Sequence, residues 1–185
     1  MRAAVAIGAI VVLVGCSSAA RPVARTPSDP VRDEITRAEA AEKLRRHDVA
    51  RVHYERAVAS AHDPTSIAFA RREFAETLIT WGELDEARTQ LERVVVARVD
   101  DAAAWHDLGI LRHNRGDAPG AVVALTHARD LAPKDPRPRV ALAALRWKSG
   151  DRAGAATEYR ALLELELPDR LRTKVQWALG ELAKP

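Results

Sequence analysis

Small and aliphatic residues return along this chain at two periods. The shorter is helical: Leu171, Val175, Ala178 and Leu182 stand three or four places apart and so share one helix face. The longer links whole segments. Ala50, Ala87, Ala121 and Ala155 recur at spacings of 37, 34 and 34 residues, and Ala38, Ala75, Gly109 and Ala143 each stand 12 places before one of them. Gly82, Gly116 and Gly150 fall between the members of the last three pairs, and charged residues fill the positions around them. A fixed period of this length predicts stacked helix-turn-helix units, each burying its apolar face on the next.

The same pattern assigns roles within a unit. The paired small residues mark where two helices approach closely: Ala38 with Ala50, Ala75 with Ala87, Gly109 with Ala121, Ala143 with Ala155. A larger side chain there would overpack the crossing at a cost of about 1–3 kcal/mol. The three glycines sit where the first helix ends in a left-handed residue. Arg45 holds that place in the first unit, which makes its turn atypical. Asp117 and Asp151 can cap the second helices, and Asp135 precedes Pro136 as a helix start with proline in its first turn. The units run over 31–64, 68–101, 102–135 and 136–169, with Thr65 to Ile67 as three extra residues between the first two. Residues 170–185, with Trp177 beside their apolar stripe, read as a capping helix. The expected fold is all-α, a solenoid of about four repeats and a cap.

The unit from Ala102 has Trp105, Leu108-Gly109, Gly116-Asp117, Ala121, Leu125, Ala128 and Pro133. It resembles the tetratricopeptide repeat, departing in Leu125 where an aromatic is usual and in Arg112 where tyrosine is usual. The unit from Pro136 follows in register with Leu142-Ala143, Gly150-Asp151, Ala155, Tyr159 and Leu162. The unit from Ala68 has Phe74-Ala75, Gly82, Ala87, Leu91 and Val94; the one from Val31 has Ala38, Ala50, Tyr54, Ala57 and Asp63-Pro64. The resemblance implies that the first helices line a concave groove that takes a peptide or helix of another protein. Carried onto this sequence, the groove places are Phe69, Arg72, Glu76 and Ile79 in the second unit. In the third they are His106, Ile110, His113 and Asn114; in the fourth Arg137, Val140, Trp147 and Lys148; and Lys174 in the cap. Such a mix of Trp, Arg, Ile and His suits an interface. The Lys/Asn clamp with which chaperone-binding members grip a C-terminal carboxylate is not matched, because those places hold Arg72 and Glu76, then His106 and Ile110.

The N-terminus has a different character. Arg2 is followed by an uncharged run from Ala3 to Gly15 and then by Cys16, the single cysteine. A positive start and a short apolar run have the form of a secretory signal, too short to cross a bilayer. Leu13-Val14-Gly15-Cys16 resembles the lipobox of bacterial lipoproteins. That implies cleavage after residue 15, a diacylglycerol on the Cys16 sulfur and acylation of the new amino group. Each acyl CH₂ buried in the membrane contributes roughly 0.8 kcal/mol to anchoring. Ser17, rather than the Asp that retains such proteins at the inner membrane, implies the outer membrane, with the body facing the periplasm. Residues 16–30, broken by Pro22, Pro27 and Pro30, read as a tether that at full extension reaches about 45 Å.

Charge changes the picture little. Lys and Arg number 29 against 26 Asp and Glu, a net +3, but the signs interleave, as in Asp85-Glu86-Ala87-Arg88. That describes a solvated helix surface and argues against nucleic acid, which calls for a clustered positive patch. One cysteine excludes an intrachain disulfide and a cysteine-based metal site. His106 and His113 stand seven apart on one expected helix, about 10.5 Å of rise, too far for one ion without ligands from elsewhere. No serine lies in a Gly-x-Ser-x-Gly or Ser-x-x-Lys setting, and no glycine-rich phosphate loop is present. The expected function is therefore a non-enzymatic scaffold without metal or cofactor, carrying only the covalent lipid on Cys16. A ligand-capture or sensor lipoprotein is the alternative, and a hydrolase using His106 or His113 a more remote one.

Overall fold

The computed structural model describes residues 29–184, and the signal segment with Cys16 and most of the tether lie outside that range. Among the described residues the chain forms nine helices and no strand: α1 (Pro30–Lys43), α2 (His47–Ser60), α3 (Pro64–Trp81), α4 (Leu84–Ala97), α5 (Ala102–Asn114), α6 (Ala118–Leu131), α7 (Pro136–Lys148), α8 (Arg152–Leu163) and α9 (Asp169–Leu182). Each odd helix pairs with the even one that follows, and each pair leans on the next. The odd helices α1, α3, α5, α7 and α9 supply the residues that line one common face.

The predicted crossing residues are all buried. At Gly109 the close approach falls one turn further along α6 than the Gly109–Ala121 pairing anticipates. A Cβ added there would lie 2.6 Å from Leu125 Cγ and 3.2 Å from the Leu125 backbone nitrogen. Gly82, Gly116 and Gly150 take φ of 84°, 84° and 87°, the left-handed conformation that turns the chain between helices. Arg45 at the equivalent place adopts φ 56°, so the first unit keeps the same turn at a steric cost to a residue with a Cβ.

The helix starts obey their capping residues. Asp117 accepts from the Gly120 amide and Asp151 from the Gly154 amide, each at helix position three. Asp135 accepts from the Arg137 amide at 2.9 Å. Asp63 accepts from the amides of Thr65 and Ser66 while Ser66 Oγ accepts from the Asp63 amide, a reciprocal cap. The strength of that signal moves a boundary. Thr65 to Ile67 are not a link between units but the first turn of α3, which at 18 residues is the longest helix.

Two polar features tie helices together, the first within units and the second between them. Arg112 and Arg146 hold equivalent places, and each donates to the carbonyl of the glycine in the next helix's first turn, Gly120 and Gly154, at 3.4 Å. Glu158 is almost fully buried and is met by Arg129 at 2.8 Å, Arg139 at 3.0 Å and Arg146 at 3.6 Å, joining α6, α7 and α8.

Candidate peptide groove

The common face of the odd helices holds four pockets that run into one another because neighbours share lining residues. The first, of 690 Å³, lies between α1 and α3 and includes Glu39, Glu42, Glu73 and Glu76. The second, of 270 Å³, shares Glu76 and continues over Ile79, Ile110 and Asn114. The third, of 440 Å³, shares His106 and Ile110 and adds Arg137, Val140, Ala141 and Ala144. The fourth, of 430 Å³, shares Val140 and Leu171 and ends on Trp147, Lys174 and Trp177. A continuous path therefore crosses every odd helix.

The structure places the expected groove residues in three groups. Glu76, Ile79, His106, Ile110, Asn114, Arg137, Val140, Trp147 and Lys174 line this path. Phe69 and Arg72 line a separate 370 Å³ pocket near the start of α1, with Arg32 over the Phe69 ring at 5.1 Å and Arg72 3.7 Å from Asp101. His113 and Lys148 line none of these pockets, although their chain neighbours Asn114 and Trp147 do.

Neighbours hold the groove side chains. His106 Nδ1 lies 3.1 Å from Asp107, which itself lines the path. Trp147 meets Tyr159 edge-on at 6.3 Å and Trp177 at 6.2 Å, so an aromatic cluster closes the α9 end. Trp177 is 63% exposed. At the α1 end Glu42 accepts from the Tyr54 hydroxyl at 3.0 Å and from Thr77 at 3.5 Å. Burial pushes the Glu73 carboxyl above its ordinary range, and the nearby charges of Glu76 and Glu39 push the same way against the opposing effect of Arg72.

Several groove residues escaped the sequence reading. Glu39 and Glu42 occupy in the first unit the places that Glu76 and Ile79 occupy in the second, and Ala144 occupies that of Ile110, so the signal was in the register. Trp177 and Leu171 depend on how α9 rotates onto α7 and α8, which no spacing reports. Among the described residues no group of three or more His, Cys, Asp or Glu is arranged to hold a metal ion. None of these helices is long and apolar enough to cross a membrane.

No protein-family model matches the sequence, and no curated protein matches it either. Solved structures do match. MamA superposes with a TM-score of 0.70 at 15% identity, over 83% of this chain and 80% of its own. YrrB, described as a TPR protein with an unusual peptide-binding site, gives 0.63 at 17% identity, over 80% of this chain and 74% of its own. The fold is the tetratricopeptide-repeat solenoid. The Yersinia enterocolitica type III secretion chaperone SycD, solved in complex with a peptide of the translocator YopD, gives 0.57 at 20% identity, over 60% of this chain and 88% of its own. At these identities the likeness speaks to the fold alone.

Proposed function

We propose that this repeat protein is a non-enzymatic scaffold that holds a peptide or helix of a partner protein in the groove of its odd helices. It is anchored through a lipid on Cys16 at the outer membrane, facing the periplasm. The observation that carries the binding role is the continuous path from Glu76 over Ile110 and Val140 to Trp147, which leaves aliphatic side chains open to solvent in a concave setting. Two solved structures of the same fold are described as peptide-bound or peptide-binding, which fits a groove in this role. The anchor rests on the lipobox-like Leu13 to Cys16.

A photo-crosslinking residue placed at Ile110 or Val140 in living cells should yield one protein adduct. The same residue at Val123, exposed on the opposite helix layer, should yield none. Absence of an adduct from both groove positions sinks the scaffold reading. Mass spectrometry of the mature N-terminus tests the anchor: an acylated Cys16 is expected, and an uncut or unacylated leader refutes it.

A further inference from the structure

The path has two chemistries. At the α1–α3 end, four carboxylates, Glu39, Glu42, Glu73 and Glu76, line one pocket, against the cations of Lys43 and Arg45 at its rim. Several carboxylates elsewhere on the surface are paired: Glu83 and Glu86 with Arg51, Glu92 with Arg112, Asp101 with Arg72, Asp135 with Arg137. Among the described residues, Glu39, Glu73 and Glu76 have no cationic nitrogen within 4.0 Å, as the full set of ion pairs uses other carboxylates. Glu42 is held by Tyr54 and Thr77 instead. These groups do not converge as metal ligands. From Glu76 onward the lining turns aliphatic: Ile79, Ile110, Val140, Ala141, Ala144 and Leu171. Ile79 is 38% exposed, an open apolar side chain directly beside the acidic pocket.

We infer that the groove selects a segment of another protein that is basic at one end and aliphatic along the rest, its Lys or Arg side chains entering the Glu39–Glu76 pocket and its aliphatic side chains lying over α5, α7 and α9. This rests on the groove reading proposed above and names its occupant. The physical reason is complementarity. An aliphatic strip alone takes any apolar segment, and charge decides which one and in which direction. A guanidinium or ammonium in the acidic pocket gains charge-assisted hydrogen bonds and relieves repulsion among carboxylates whose water is partly excluded. An acidic segment would add a fifth negative charge there. The pocket is thus opposite in sign to a site for a carboxylate-ended tail.

The test is selection of random peptides displayed on phage against the purified full chain, followed by fluorescence anisotropy of the enriched peptides. Lys or Arg followed by Leu, Ile or Val should be enriched. A Glu73→Gln/Glu76→Gln double variant, with circular dichroism unchanged, should bind the lead peptide roughly ten-fold more weakly. It should also lose most of the salt dependence that the parent shows. Enrichment of acidic or neutral apolar peptides, or a double variant that binds as the parent does, overturns this inference. In that case, loss of binding in Ile110→Asp still leaves the groove as the site. If Ile110→Asp binds as tightly as the parent, or no peptide is enriched, the groove reading falls as well.

Discussion

Arg45 holds a left-handed backbone at φ 56° in the place that Gly82, Gly116 and Gly150 hold in the later units. A residue with a Cβ is disfavoured there by about 1–2 kcal/mol, and part of any gain from glycine is offset by the freedom it has in the unfolded chain. Arg45→Gly should therefore stabilise the protein by about 0.5–1 kcal/mol, seen as a rise of roughly 2–3 °C in the thermal midpoint. A fall in the midpoint would show that the Arg45 side chain contributes more than its backbone costs.

Tyr54 carries a pH dependence. Its phenol is buried, stacked on Phe74 at 5.4 Å, and donates to Glu42 while accepting from Thr77. Burial is the largest cause that holds its pKa above the ordinary 10.0; the hydrogen bond to Glu42 and the Glu42 charge add to it, and Thr77 opposes. A raised folded-state pKa means that the stabilisation is fully present below the unfolded value. It is lost as pH climbs past about 10 toward the folded value. Urea unfolding across that range should show parent stability falling with alkalinity. Tyr54→Phe, about 1 kcal/mol less stable near neutral pH, should show a shallower fall. Parallel slopes would remove Tyr54 as the cause.

At the scale of the element, start signals decide the boundaries. Asp135 caps α7 through the Arg137 amide and also pairs with the Arg137 side chain at 2.7 Å. Asp135→Ala should destabilise the protein by about 1 kcal/mol in denaturant unfolding, and Asp135→Asn, which keeps a capping oxygen, by less. Equal losses would assign the effect to the ion pair rather than the cap. At α3 the reciprocal cap between Asp63 and Ser66 starts the helix one turn earlier than the repeat register requires. The register is set by the helix crossing, whereas a boundary is set by backbone amides that need an acceptor. Periodicity therefore located the pairing of α3 with α4 and missed the extra turn. Local capping chemistry in Asp63-Pro64 carried the missing information.

Across the molecule, the units depend on their neighbours. α5 and α6 pack within their pair and against α4 and α7 on either side. α9 rests on α8 and, through Trp177 and Leu171, on α7, with no described helix on its other side. Stability in such arrays is a sum of unit and interface contributions, so protection should fall toward the ends. Hydrogen exchange should find the amides of α9 opening well before those of α5 and α6. Uniform protection would mean that the stack opens as one body.

The sequence by itself determined the units, their number, their turns and which small residues are buried where helices cross, because each of these is a local or fixed-period constraint on side-chain size and backbone conformation. That Gly109 meets Leu125 rather than Ala121 came only from the packing. It placed most of the groove for the same reason, since Ile110, Val140 and Trp147 follow from register. What only the tertiary structure decided is which of those positions communicate. Glu39 and Glu42 meet Glu73 and Glu76 only because α1 packs against α3, and Trp177 joins Trp147 only through the seating of α9. His113 and Lys148 fall outside the path while Asn114 and Trp147, beside them in the same last turns, line it. Successive residues point about 100° apart around a helix, so the seating of the helix decides which of two neighbours faces the groove. Charge imbalance is likewise a property of packing: whether a carboxylate is paired depends on what the neighbouring helix brings within reach, and that distance is absent from any one segment of the chain.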